Sequence, residues 1–188
     1  IVHKDVKAPL LELIQMRLKD WKTGDPLDPA HHLGALIDAE HCTKVQRHLG
    51  KNALSGGVME GPYLPPTLYE DSPKDPRARE EIFGPVLSVI TADSNESAIK
   101  IANDTEYGLS ASVFSANARS ALRAARELRA GTVTVNCFGE GDITTPFGGY
   151  KQSGFGGRDN GLTAHDQHCE VKTIWIDLSD PNELDKIS

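Results

Sequence analysis

Three apolar, strand-like runs alternate with two helical segments between residues 86 and 136, and this alternation restricts the possible folds more than any other feature. The runs occupy residues 86–92, 109–114 and 132–136. The segments between them have helical spacing, and Asp93 and Asn117 stand where N-capping residues are expected. Because strands and helices that alternate at this spacing build parallel sheets, the sequence predicts an α/β fold, a parallel twisted sheet flanked by helices.

The flanking segments extend this prediction in both directions. Residues 6–21 carry apolar side chains at helical spacing, namely Leu10, Leu11, Ile14, Leu18 and Trp21. Residues 38–49 predict a shorter helix. Residues 170–178 have apolar positions on both faces, so they predict a terminal strand that needs a partner in its own sheet or in another subunit. Residues 1–169 then form the main unit, and residues 179–188 form a polar tail.

Composition limits the classes of function. The net charge is −7 at pH 7, which argues against nucleic acid or an anionic membrane as a partner, since phosphate binding needs a positive field. No apolar run approaches the roughly 20 residues that span a bilayer. Cysteines without paired spacing indicate reduced thiols, which predicts a cytoplasmic protein. The chain begins at Ile1, almost directly in a helical pattern, which favours a fragment of a longer product.

The stretch AREEIFGPV, residues 78–86, places two carboxylates and a phenylalanine before a Gly-Pro pair. A well-held carboxylate accepts hydrogen bonds from both hydroxyls of a ribose diol. An aromatic ring two residues further along an extended chain lies on the same side, and Gly84 and Pro85 fix how the chain leaves. The residues alone leave two interpretations equally open. Glu80 and Glu81 are surface charges at a turn, or a carboxylate here binds a nucleotide sugar.

Other candidate sites have less support. The stretch TPFGGYKQSGFGG, residues 145–157, lacks the spacing of a phosphate-binding P-loop and predicts a structural loop with close backbone approach and positive φ angles. His165, His168 and Cys169 form a single group where zinc sites show two spaced pairs, so no metal site is predicted. Cys137 ends a strand without a neighbouring base, which indicates a core thiol and not a nucleophile.

Several segments together resemble the C-terminal portion of the NAD(P)-dependent aldehyde dehydrogenase family. They are REEIFGPV, ANDTEYGLSASVFS, GTVTVN, PFGGYKQSG and EVKTIWI, in this order. The stretch EGDITTPFGGYKQSGFGGRD is most similar to the branch that acts on γ-glutamyl-γ-aminobutyraldehyde and related ω-amino aldehydes from polyamine (putrescine) breakdown. The resemblance covers nearly the whole chain.

The resemblance implies roles for individual residues. Glu81 matches the glutamate that hydrogen-bonds the nicotinamide ribose, and Phe83 matches the aromatic residue beside the nicotinamide. Phe147 matches the ring that lines the aldehyde tunnel. Residues 170–178 match the strand that completes a sheet across the subunit interface, which implies a homo-oligomer.

The resemblance also implies a mechanism whose reacting groups lie outside this chain. In the complete enzyme a thiolate attacks the aldehyde, the thiohemiacetal loses hydride to NAD or NADP, and water releases the acid from the thioester. The resemblance places the other parts of the active site upstream of Ile1. They are the nucleophilic cysteine, the general-base glutamate, the oxyanion asparagine and the cofactor domain. No catalytic residue is therefore expected in this chain, and the isolated chain is expected to be inactive.

Two further expectations complete the sequence-based hypothesis. Glu140 and Asp142, just before the TTPFGG loop, would favour a cationic or zwitterionic substrate tail by charge complementarity. The alternative to an enzyme is a non-catalytic α/β binding or assembly module that retains the scaffold.

Overall fold

The computed structural model describes residues 1–139 and 141–177, in which short strands and helices alternate. The strands are β1 (Val2–His3), β2 (Thr67–Glu70), β3 (Val86–Val89), β4 (Thr91–Ala92), β5 (Ser110–Val113) and β6 (Thr132–Val135). The helices are α1 (Lys4–Leu18), α2 (Ala39–Gln46), α3 (Pro76–Arg79), α4 (Asn95–Asn103) and α5 (Ala118–Glu127), with 3-10 helices at Lys151–Ser153 and Leu162–His168. None of these helices is long and apolar enough to cross a bilayer. Glu140 and the predicted polar tail lie outside the described residues.

The strands pair in parallel, as predicted, but within the described residues they form three two-stranded sheets instead of one continuous sheet. The pairs are β1 with β4, β2 with β3, and β5 with β6. The predicted run 86–92 is divided at Ile90, because its first half pairs with β2 and its second half pairs with β1. Both partners lie far away in the sequence, and neither was predicted as a strand.

The core of the first half lies where α1 covers the strands. Val2, Leu68 and Val89 are buried, and α1 packs against them through Leu11, Ile14 and Leu18. The helix predicted over residues 6–21 is therefore confirmed as α1 together with part of its apolar face, but it ends at Leu18, before Trp21. The other two apolar positions, Leu10 and Trp21, remain exposed.

In the second half, β5, α5 and β6 form a parallel strand–helix–strand unit. Asn117 caps α5 as predicted, because its side-chain oxygen accepts a hydrogen bond from the Ser120 N–H at 3.0 Å. The prediction of Asp93 as the cap of α4 is wrong by one residue. Ser94 and Ser97 exchange hydrogen bonds between each side chain and the other's backbone N–H, at 3.0 and 3.1 Å, and this reciprocal box begins the helix.

The terminal strand predicted over residues 170–178 is absent from the part that the structure describes. Residues 170–177 have no regular secondary structure. Their apolar side chains are 68% to 99% exposed, namely Val171, Ile174, Trp175 and Ile176. A strand satisfies its backbone groups through a neighbouring strand, and no described strand pairs with this segment.

Candidate functional site

A cleft of about 790 Å³ lies between α2 and the segment that follows α3. One side is formed mainly by α2 and the residues next to it, among them Asp38, His41, Lys44 and His48, and the other side is formed by residues 80–83. The helix begins at the cleft because Asp38 is its N-cap, with Oδ1 accepting a hydrogen bond from the His41 N–H at 2.7 Å. The predicted cofactor residues Glu81 and Phe83 therefore line one cleft.

Gly84 and Pro85 allow the two sides of the cleft to meet. A Cβ atom on Gly84 would lie 3.1 Å from Cγ1 of Val45, a fully buried residue of α2, so a side chain here would press the two elements apart. The Pro85 carbonyl accepts a hydrogen bond from the Thr67 N–H at 2.8 Å, which leads the chain into the β2–β3 pair. The Gly-Pro pair fixes the chain direction, as the sequence predicts.

The two adjacent glutamates differ in their contacts. Oε2 of Glu80 lies 3.7 Å from Nε2 of His48. Glu81 is exposed, and within the described residues no hydrogen bond or ion pair engages its carboxylate. The pKa of Tyr107 is raised, chiefly by Glu106, with smaller contributions from burial and from the charges of Glu81 and Glu80. Because no hydrogen bond or ion pair among the described residues engages its carboxylate, Glu81 remains available to a ligand.

Phe83 has an unusual backbone conformation. Its φ angle is +54° and the residue is 71% exposed. A bulky residue in the left-handed region costs on the order of 1–3 kcal/mol, and such strain is concentrated at functional sites. The ring was predicted to lie beside Glu81 on an extended backbone, and the positive φ of Phe83 shows that this conformation is wrong. The ring still lines the same cleft, because the turn at positive φ presents it there.

The α2 side of the cleft was not predicted from the sequence. Neither ring nitrogen of His41 has a hydrogen-bond partner, although both are shielded from solvent. Buried polar atoms are normally paired, so the unpaired ring of His41 is an exception in the wall of the cleft. Lys44 and Arg47 line the same cleft, and Nζ of Lys44 pairs there with Oε1 of Glu40 at 2.7 Å. The available signal was their spacing of three residues on a predicted helix, which places neighbouring members on one face.

Two of the predicted substrate residues, Phe147 and Asp142, lie in a different cavity, of about 1120 Å³, which is lined in part by β5 and β6. Phe147 lines it and is held by two backbone hydrogen bonds with Asp159, at 2.7 and 2.8 Å. Asp142 lines it too, and hydrogen bonds from the side chain and the backbone N–H of Thr144 hold the Asp142 pKa below its usual range. Glu140 is outside the described residues. The structure thus groups Glu81 and Phe83, the predicted cofactor residues, in one cavity and Phe147 with Asp142 in the other.

The stretch 145–157 is a loop held by close backbone contacts, as predicted. A Cβ atom on Gly149 would overlap the backbone of Ser153. The positive φ in this stretch, +53°, occurs at Lys151 and not at a glycine, which corrects the expectation for the glycines. Nζ of Lys151 donates hydrogen bonds to the carbonyls of Asn103 and Thr105, both at 2.9 Å, and so joins the loop to the end of α4.

The cysteine and histidine candidates have little support in the structure. Cys137 is only half-buried, so the prediction of a core thiol is wrong, because the chain turns towards the surface after β6. Within residues 1–139 and 141–177, no group of three His, Cys, Asp or Glu side chains is arranged to hold a metal ion.

Comparison with known proteins places these observations in a family. The chain is 53% identical over 187 residues to the aminoacetaldehyde dehydrogenase of Pseudomonas aeruginosa, covering 95% of this chain and 38% of that protein. It matches a P. syringae indole-3-acetaldehyde dehydrogenase mutant in complex with NAD+ and IAA, with a TM-score of 0.86, 44% identity, and coverage of 94% of this chain and 38% of that one. The γ-glutamyl-γ-aminobutyraldehyde dehydrogenase of Burkholderia cenocepacia matches with a TM-score of 0.81 and 44% identity, over 87% of this chain and 35% of that one.

These coverages mean that the chain spans less than two fifths of the length of the relatives it matches. Residues 1–174 match the sequence model of the aldehyde dehydrogenase family. The match extends over both cavities and includes every predicted site residue. The chain belongs to the aldehyde dehydrogenase family.

Proposed function

We propose that this chain is the C-terminal part of an NAD(P)-dependent aldehyde dehydrogenase, and that it positions the nicotinamide end of the cofactor. The observation that carries the proposal is the pairing of an unengaged carboxylate, Glu81, with a strained and exposed ring, Phe83, in one cleft. An enzyme of this family oxidises an aldehyde to the carboxylic acid. The bound dinucleotide supplies the hydride acceptor.

The residues of the cleft fit such a cofactor. The Glu81 carboxylate offers two acceptor oxygens to the two hydroxyls of a ribose. On the α2 side of the cleft, the guanidinium of Arg47 is suited to an anionic group of the ligand. The exposed Phe83 ring provides an apolar surface for a planar heterocycle.

For the substrate we propose an ω-amino aldehyde, such as γ-glutamyl-γ-aminobutyraldehyde. The support is that Asp142 lines the second cavity together with Phe147, and that Glu140 precedes Asp142 by two residues in the sequence. The names of two relatives, an aminoacetaldehyde dehydrogenase and a γ-glutamyl-γ-aminobutyraldehyde dehydrogenase, point to the same class.

The proposed cofactor role is tested by comparing Glu81→Gln with Glu80→Gln in the complete polypeptide. A lost charge-assisted hydrogen bond is worth about 1.5–3 kcal/mol, so Glu81→Gln is expected to raise the KM for NAD(P)+ at least tenfold. Glu80→Gln, a control one residue away, is expected to change this KM less than about twofold, since its carboxylate faces His48. The rate of formation of the reduced cofactor, followed by absorbance, gives both constants. Equal effects of the two substitutions would remove Glu81 from the cofactor site.

A further inference from the structure

A buried cluster of polar side chains lies directly behind the cofactor cleft. Its centre is the guanidinium of Arg77, whose Nη2 donates to Oδ1 of Asp71 at 2.7 Å and whose Nε is 3.2 Å from both oxygens of that carboxylate. The side chains of Asp71 and Arg77 are only 1% and 14% exposed. The guanidinium also lies over the ring of the fully buried Tyr69, 4.2 Å from its centroid. We call Tyr69, Asp71 and Arg77 the arginine cluster.

Asp71 and Arg77 of the arginine cluster form an ionised pair. Burial of the Asp71 carboxyl opposes its ionisation, but the hydrogen bonds and the charge of Arg77 outweigh this effect and hold the Asp71 pKa below its usual range. A second carboxylate, Asp75, contributes Oδ2 at 3.3 Å from Nη2 of Arg77. Paired charges that are buried with satisfied hydrogen bonds form a rigid unit, and removal of either partner leaves the other charge without compensation.

The cluster connects the two sides of the cleft. Arg77 belongs to α3, which ends at Arg79, so only Ala78 to Glu80 separate it from Glu81. On the other side, Nη1 of Arg77 donates to the His48 carbonyl at 3.3 Å. The hydroxyl of Tyr69 accepts a hydrogen bond from the Gly50 N–H at 2.8 Å and donates to the Gly50 carbonyl at 3.1 Å. The cluster therefore sets the distance between the end of α2 and the segment that carries Glu81 and Phe83.

We infer that Arg77 is a positioning residue, which holds the segment with Glu81 and Phe83 at a fixed distance from α2 so that the cleft is preformed for the cofactor. This inference rests on the proposed function and deepens it. Arg77 lies behind the cleft and is not among the residues that line it. It acts through the geometry of Glu81, because preformed sites bind without a cost for ordering their loops.

The chemistry of the cluster requires arginine. The planar guanidinium bonds Asp71, Asp75 and the His48 carbonyl while it stacks on Tyr69. The ammonium of a lysine keeps the charge but has neither the fork nor the plane, so it cannot serve these partners together. Arg77→Lys is therefore expected to keep the fold while it loosens the connection between the two sides of the cleft.

The test uses the complete polypeptide with Arg77→Lys and, as the matched control, Arg79→Lys. Arg79 belongs to the same helix but is 40% exposed and pairs with Asp104, away from the cluster. Since displacements near 1 Å reduce rates and affinities strongly, Arg77→Lys is expected to raise the Kd for the reduced cofactor and the KM for NAD(P)+ roughly tenfold. The KM for the aldehyde is expected to change less than about twofold, and Arg79→Lys is expected to change none of these constants.

Combining the variants separates positioning from a merely structural role. If Arg77 acts through Glu81, the loss of cofactor affinity caused by Arg77→Lys becomes much smaller in the Glu81→Gln background, because the two effects are not additive. A fall in melting temperature with unchanged cofactor affinity would overturn the inference. Equal losses for cofactor and aldehyde would overturn it too, as would full additivity with Glu81→Gln.

If Arg77→Lys fails to fold, Tyr69→Phe decides the question. It keeps the ring beneath the guanidinium and removes only the hydroxyl that bonds Gly50. A cofactor-specific loss of about threefold supports the inference, and no loss overturns it. Should Glu81→Gln itself leave cofactor affinity unchanged, the proposed cofactor role fails. Should Glu81→Gln weaken binding while Arg77→Lys does not, only the positioning role fails.

Discussion

Glu80 and Glu81 have the same chemistry and adjacent positions, yet the structure gives them different surroundings. Glu80 faces His48, whereas Glu81 lines the cleft without a hydrogen bond or ion pair to its carboxylate among the described residues. The strained backbone of Phe83 and the unpaired ring of His41 occur at the same place. At the scale of single residues, the site is therefore recognised by groups that the protein itself does not satisfy.

The residue scale also carries a prediction about substrate choice. Hydrogen bonds from Thr144 hold the Asp142 pKa below its usual range, so this carboxylate is charged at neutral pH. It loses its charge only when the pH falls below the pKa of an ordinary aspartate. Replacing Glu140 and Asp142 together by Gln and Asn is expected to raise the KM for amino aldehydes roughly two- to fivefold, the size of an exposed ion pair. Steady-state kinetics with acetaldehyde serve as the control, since an uncharged substrate does not sense the change. Equal shifts for both substrates would refute a charge-based preference.

Among the elements, the unit β5–α5–β6 supports the second cavity and the loop that carries Phe147. The loop approaches this unit at Gly131, next to the start of β6, where a Cβ atom would overlap the carbonyl oxygen of Gly148. The side chain of Lys151 then fastens the loop to the end of α4. The glycines in this region serve close packing, and a lysine supplies the one left-handed turn of the stretch.

Gly131→Ala is accordingly expected to be destabilising. The added methyl group must displace the backbone of the Phe147 loop, and overpacking of this kind costs about 1–3 kcal/mol. Thermal unfolding is expected to show a melting temperature several degrees lower, together with a raised KM for the aldehyde. Gly156→Ala is the matched control, because a Cβ atom there meets nothing within 4 Å. Similar melting temperatures for the two variants would show that the close approach is not needed.

For the whole molecule, the exposed segment 170–177 is the feature that most needs an explanation. Val171 and Trp175 are 99% and 91% exposed, and apolar residues of this size are rarely left in solvent together. We propose that residues 170–178 pair with a strand of another copy, which would cover their exposed apolar side chains. This proposal fits the resemblance to the interface strand of the family.

Trp175→Glu tests this assembly in the complete polypeptide. A charge placed in an apolar strand interface is expected to lower the molar mass in solution to that of a smaller assembly, as measured by light scattering. Lys172→Gln changes a polar position of the same segment and is expected to leave the mass unchanged. An unchanged mass for Trp175→Glu would exclude the segment from the interface.

The sequence by itself determined the elements whose signals are local. Periodicity and capping chemistry act over a few residues. They predicted the strand–helix–strand unit from β5 to β6, its cap at Asn117 and the helix α1. The resemblance of residues 78–86 to the family likewise predicted Glu81 and Phe83 as a pair, and the structure places them in one cleft.

Only the tertiary structure decided what depends on distant contacts. The short strands β1 and β2 carry no pattern of their own and exist because the run 86–92 pairs with them. The positive φ of Phe83, the unpaired state of His41 and the arginine cluster behind them arise where segments far apart in the sequence meet. Local propensity does not predict these contacts, because they are stabilised by burial and hydrogen bonding between elements and not by any single element.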